Sequence, residues 1–172
     1  MNQRKAPDCH HRDPSSKEML VSEANLDMGE ITILEICRYF FVSFTSPCSH
    51  AWMKAFVKAE SMFPPDSAAE VAWRTAAFLQ GMRTSRRSIF QFNSPNCPGC
   101  ARILSEHERQ LLGVLVATRC NRESEAMTHA MVICEGNSTD SLLAATRDLS
   151  DAMGERLLDG FELRSNRQTA QV

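Results

Sequence analysis

Two cysteines separated by two residues, in Cys97-Pro98-Gly99-Cys100, carry the strongest chemical signal in the chain. Proline and glycine between them read as a turn, which aims both sulfurs at one point. Such a knuckle can supply two thiolates to Zn²⁺, which takes four ligands at about 2.3 Å for sulfur. The same pair can cycle between dithiol and disulfide, with the first thiol lowered in pKa. A thioredoxin-type use of the motif belongs to alternating strands and helices. That alternation is absent here, so metal binding ranks above redox catalysis and zinc is the expected ion. Two more ligands are then needed. His107, on the first turn of the following helix, is the nearest, whereas Cys48, His50, Cys120, His129 and Cys134 are reached only through the fold. On the helical wheel His129 lies opposite the apolar face and is expected to point to water. Cys37 and Cys134 fall on apolar stripes and read as inert buried thiols. Cys9-His10-His11 offers the same ligand types near the start of the chain. Flexible termini and tags produce such clusters too, and that is the reading preferred for this one.

A second feature lies just upstream. Between Arg83 and Leu104 there are four arginines and no acidic residue. Guanidinium groups fork onto phosphate or carboxylate, and Phe90 and Phe92 are placed to stack on bases. The plainer reading is a solvated helix end, where cations favour the carbonyl pole of the dipole, with both phenylalanines in the core. As a partner-binding patch, Arg83, Arg86 and Arg87 suit an acidic protein, a nucleic-acid backbone or an anionic ligand. Residues 137–162 have the reverse sign, with six acids against Arg147 and Arg156, and read as a solvated face. No Ser/His/Asp order, Walker loop, GxGxxG, HExxH or EF-hand pattern occurs, so the expectation leans away from an enzyme. Nine methionines and nine phenylalanines read as core filling, with Met-rich promiscuous binding as the alternative.

Elements must hold these groups in place, and 172 residues suit one domain. The formal charge of −2 excludes a generally basic nucleic-acid binder, though not a local patch. The first 18 residues are polar with no apolar core, which predicts no secretory leader. The expected location is the cytoplasm, where thiols stay reduced. Residues 31–44 form the most apolar stretch, interrupted by Glu35 and Arg38, and at 14 residues it is too short to span a bilayer.

Residues 1–26 read as a flexible tail. Ile33, Ile36, Cys37, Phe40, Phe41 and Phe44 then recur at helical spacing, with Glu35 and Arg38 off the stripe. Pro47 ends that helix, and Ser49 is the expected cap of a second. Ser67-Ala68-Ala69-Glu70 predicts a capping box opening a third, running to about Arg83. Ser105-Glu106-His107-Glu108 predicts another. Two more helices are expected from about residue 121 or 124 and from about 139 or 140, with Gly136 at a left-handed cap between them.

The predicted fold is all-α: a compact bundle of five to six helices over residues 27–160, with 161–172 frayed. Sub-bundles 27–83 and 104–158 would meet across the Cys-containing loop 84–103. The expected function is a cytoplasmic helical regulatory or adaptor protein that binds a protein or nucleic-acid partner, with or without zinc at Cys97, Cys100 and His107. The alternatives are a thiol redox sensor using Cys97 and Cys100, and nucleic-acid binding through Arg83, Arg86 and Arg87. No membrane partner is expected, and self-association is compatible with the pattern.

Overall fold

A computed structural model describes residues 12–154. It is all-α apart from one two-stranded ribbon. The helices are α1 (Met28–Thr45), α2 (Ala51–Glu60), α3 (Pro65–Ser85), the single turn α4 (Pro98–Ala101), α5 (Glu106–Arg119), α6 (Glu123–Ile133) and α7 (Asp140–Met153). Strands β1 (Met19–Leu20) and β2 (Ile103–Leu104) pair antiparallel, Met19 opposite Leu104. None of the described helices is long and apolar enough to cross a membrane.

The anticipated α1 stripe is the centre of the core. Ile33, Ile36, Cys37, Phe40 and Phe41 are buried with Phe78, Leu79 and Met82 of α3, Leu115 of α5 and Leu142 and Leu149 of α7 in one continuous cluster. The two halves therefore do not stand as separate sub-bundles: α3 lies along α7 and α1 contacts α5. Residues 12–26, expected as a tail from the low hydrophobicity of the segment, are fastened from Arg12 onward. Met19, Val21, Ala24 and Leu26 pack on Leu34, Leu104 and Leu112, a second small core beside the first.

The α5 cap is as anticipated: Ser105 Oγ accepts from the Glu108 amide at 3.1 Å and Glu108 returns to the Ser105 amide at 2.9 Å. Asp27 and Glu30 build the same reciprocal cap on α1. The cap anticipated at Ser67 does not form. Pro65 is already set for the first helical position, so α3 begins three residues earlier and Ser67 Oγ donates to the Pro64 carbonyl. Helix α2 likewise takes His50, in the left-handed region at φ 51°, as its N-cap, while Ser49 one residue earlier accepts from the Ala51 amide at 3.3 Å.

Two glycines mark close helix contacts and behave oppositely on substitution. A Cβ on Gly81 would lie 2.8 Å from the Ser141 carbonyl oxygen and 2.9 Å from the Leu142 Cα, both backbone atoms of α7. Backbone cannot swing aside. Gly81→Ala therefore loses stability, by about 1–3 kcal/mol, because overpacking outweighs the ~1 kcal/mol gained in helix propensity. The three atoms nearest to a Cβ on Gly113 all belong to the His129 ring, at 2.8 Å. That ring can rotate, so Gly113→Ala is expected to stay within about 1 kcal/mol of wild type. Urea unfolding of the two variants separates these outcomes.

Candidate functional site

The segment joining α3 to α5 carries both chemical features, and three charged clusters hold it. The first is a buried ion pair. Arg38 and Glu108 are 1% and 2% exposed, with Nε 2.7 Å from Oε1 and Nη2 3.0 Å from Oε2. Arg38 also donates from Nη1 to the Ala101 carbonyl and from Nη2 to the Ile103 carbonyl, both at 2.6 Å. Glu108 accepts from the Asn93 amide at 3.1 Å. One arginine on α1 thus ties down both the exit of α4 and the cap of α5. Arg38 lies off the apolar stripe and is nevertheless buried: it follows Leu34 by one turn on a second face of the same helix.

The second cluster is the thiol knuckle. The Cys97 and Cys100 sulfurs are 2.9 Å apart, as the spacing predicts. Cys97 is the N-cap of α4, and its sulfur accepts from the Cys100 amide at 3.4 Å. Two thiolates on one tetrahedral ion stand about 3.8 Å apart, and disulfide sulfurs about 2.05 Å. Side-chain rotation of under about 1 Å reaches either state.

Arg12 lies against this pair. It donates to Asn93 Oδ1 at 2.9 Å and to Glu18 at 2.6 Å. Burial works against its charge, but hydrogen bonds to Glu18 and Cys100 outweigh that and raise its pKa. The anchor at Arg12 is a contributor that the sequence reading missed, since nothing in its local pattern marks it.

His107 is not brought to the thiols as a third ligand. Among the described residues no group of three or more His, Cys, Asp or Glu side chains could hold a metal ion. The His107 Nδ1 instead accepts from the Gln91 amide at 2.9 Å, and Nε2 is 3.1 Å from Arg86 Nη2. Its pKa is lowered by burial first and by the Arg86 charge second. Cys9, His10 and His11 lie outside the described residues. His129, expected to face water, packs its ring over Gly113 and bonds Gln110 at 2.6 Å. Cys37 is buried as anticipated, and burial drives its thiol well above the ordinary range. Cys134 is also buried.

The third cluster gathers the arginine run. Arg86 donates to the Ile133 carbonyl at 2.9 Å, capping the end of α6, and lies 3.4 Å from Glu135. Glu135 accepts from the Arg87 and Ser88 amides and the Ser88 hydroxyl. The bond from Ser88, then that from the Arg87 amide, hold its carboxyl down at about 2. Arg83 stands 4.1 Å over the Phe44 ring, while Arg87 is exposed. Phe90 and Phe92 both stack on Phe41, at 4.4 and 5.2 Å between ring centres.

Acidification should release this clasp in two stages. His107 has a lowered folded pKa, so its contribution is present above about pH 6.5 and is lost as pH falls through the lower folded value. Glu135 contributes above its unfolded pKa, near 4.5, and loses that contribution as pH falls towards about 2. The expected observation is a fall in the exchange protection of the Arg87 and Ser88 amides below pH 4.5, a pH dependence absent in Glu135→Gln.

No protein-family model matches the chain, and no curated protein or solved structure is significantly similar to it. The functional reading therefore rests on the geometry alone.

Proposed function

We propose that this chain is a helical regulatory protein whose responsive element is the Cys97–Cys100 pair, acting as a reversible dithiol. The observation that carries this is the approach of the two sulfurs to 2.9 Å on a turn fastened to the bundle. The Cys97 sulfur accepts a hydrogen bond from the Cys100 amide at 3.4 Å, and the thiolate is the form that attacks.

With a small disulfide such as oxidised glutathione, the Cys97 thiolate attacks one sulfur and displaces a thiolate, forming a mixed disulfide. Cys100 then attacks Cys97 and displaces the second glutathione. The protein loses two electrons and two protons, and the glutathione disulfide becomes two thiols. The new bond tightens a segment that Arg38, Glu108 and Asn93 join to α1 and α5. Exposed Trp52, Met53 and Val57 on α2 support a protein partner as the recipient of the signal.

A second reading keeps the pair as two ligands of zinc. The Arg12 hydrogen bond to Cys100 favours it, because Cys9, His10 and His11 directly precede Arg12 in the chain.

One experiment separates the readings. Untagged protein is weighed intact under native conditions, then equilibrated in glutathione buffers of stepped potential and alkylated. The redox reading expects metal-free protein and a Cys97–Cys100 disulfide that neither Cys97→Ser nor Cys100→Ser can form. One zinc per chain, lost in Cys97→Ser, in Cys100→Ser and on deletion of residues 1–11, selects the second. A pair that binds no metal and stays reduced throughout overturns both.

A further inference from the structure

We propose that the groove between the C-terminal ends of α1 and α3 and the segment following α3 is a binding site for a small organic carboxylate with an aromatic or short aliphatic body. The groove encloses about 300 Å³, at the lower end of small-molecule pockets. Phe41, Phe44, Met82, Ile89 and Phe90 form its apolar walls, and Arg83 and Arg86 line it with them. No acidic residue lines it.

Three observations point to an anion with an apolar body. Arg86 is deeply held, its side chain 7% exposed, yet its buried Nε finds no hydrogen-bond acceptor among the described residues. Its other nitrogens are held by the Ile133 carbonyl and Glu135, so Arg86 gives the groove positive potential and not a free donor. Arg83 already lies over the Phe44 ring, and among the described residues only the neutral Gln80 side chain accepts from it, at 3.2 Å. Its charge is available to a ligand held against that ring. Finally, Ile89 is 87% exposed on the lip of the groove, an apolar side chain in water that a bound ring or chain would cover.

The volume decides between occupants. It suits about a dozen heavy atoms, too few for a folded partner surface, and the aromatic walls favour a flat or narrow body. The carboxylate would take Arg83, and the apolar body would lie between Phe44, Phe90 and Ile89. This site is separate from the thiol pair but shares its segment, so it stands whichever chemistry the cysteines perform.

Isothermal titration with 4-phenylbutanoate, and with its primary amide as the uncharged twin, tests the site. The acid is expected to bind one per chain, with the amide at least about tenfold weaker, as a lost charge-assisted contact implies. Arg83→Gln should weaken the acid about five- to tenfold while leaving the melting temperature unchanged, since that side chain is exposed. Phe44→Ala should weaken acid and amide alike. Equal affinity for acid and amide, an Arg83→Gln affinity equal to wild type, or no binding by either compound would overturn the proposal. So would salt-sensitive binding of a short oligothymidine, lost in Arg83→Gln, from a protein that ignores the acid, because that result assigns the patch to nucleic acid.

Discussion

Replacing Arg38 with methionine should cost about 3–5 kcal/mol, the loss expected when one partner of a buried ion pair is removed. Methionine fills much of the volume, so the cost is electrostatic and not a cavity. Glu108, 2% exposed, would keep the Ser105 and Asn93 amides but lose its cation. The Ala101 and Ile103 carbonyls would each lose a donor at 2.6 Å. Lysine should rescue little. Three different nitrogens of Arg38 serve Glu108 and the two carbonyls, and one ammonium cannot reach them all. Arg38→Lys is therefore expected within about 1 kcal/mol of Arg38→Met, as the fork geometry requires. Guanidinium unfolding measures both, and amide exchange across residues 93–105 should rise before the rest of the bundle loosens. A methionine variant within about 1 kcal/mol of wild type would mean that the pair is only a solvated contact, worth what surface bridges are worth.

How much of this was legible in the sequence depends on the range of each interaction. The α1 stripe, the Ser105–Glu108 cap and the sulfur convergence at Cys97 and Cys100 all arise within a few residues, and periodicity or turn chemistry exposes them. Arg38 shows the limit. A charged residue beside an apolar stripe reads as solvent-facing, yet α1 is buried on two faces, and its partner Glu108 lies 70 residues away. His107 fails for the same reason. Its ligand chemistry is intrinsic, but which groups claim its nitrogens depends on Gln91 and Arg86, brought there by the path of the loop. The arginine run was visible as composition, and its division into a helix cap, a ring contact and an exposed side chain was not. Pro65 is a local miss: two capping signals compete within three residues, and the preset proline angle prevails over the serine.

The other end of the α1–α5 contact makes the converse prediction about lysine. Arg119, in the last turn of α5, donates from one nitrogen, Nη1, to Asp27 at 2.8 Å and to Glu30 at 2.9 Å. These are the two carboxylates of the α1 cap, and all three side chains are at most 4% exposed. The helices are thus clasped reciprocally, each cap held by an arginine of the other. Arg119→Met should again cost about 3–5 kcal/mol, because it leaves adjacent buried carboxylates sharing no cation. Here Arg119→Lys should recover at least about half of that loss, since a single donor centre suffices and lysine keeps the charge. What lysine gives up is the long 3.4 Å bond from Nη2 to Gly154. The Nε of Arg119 has no acceptor among the described residues, so its removal costs nothing further. The measurement is the difference between the two lysine variants, read from unfolding midpoints on one denaturant scale. If lysine fails equally at 38 and 119, planar fork geometry matters at both sites. If it succeeds equally, charge alone holds the clasp, and the argument from the number of nitrogens in use is wrong.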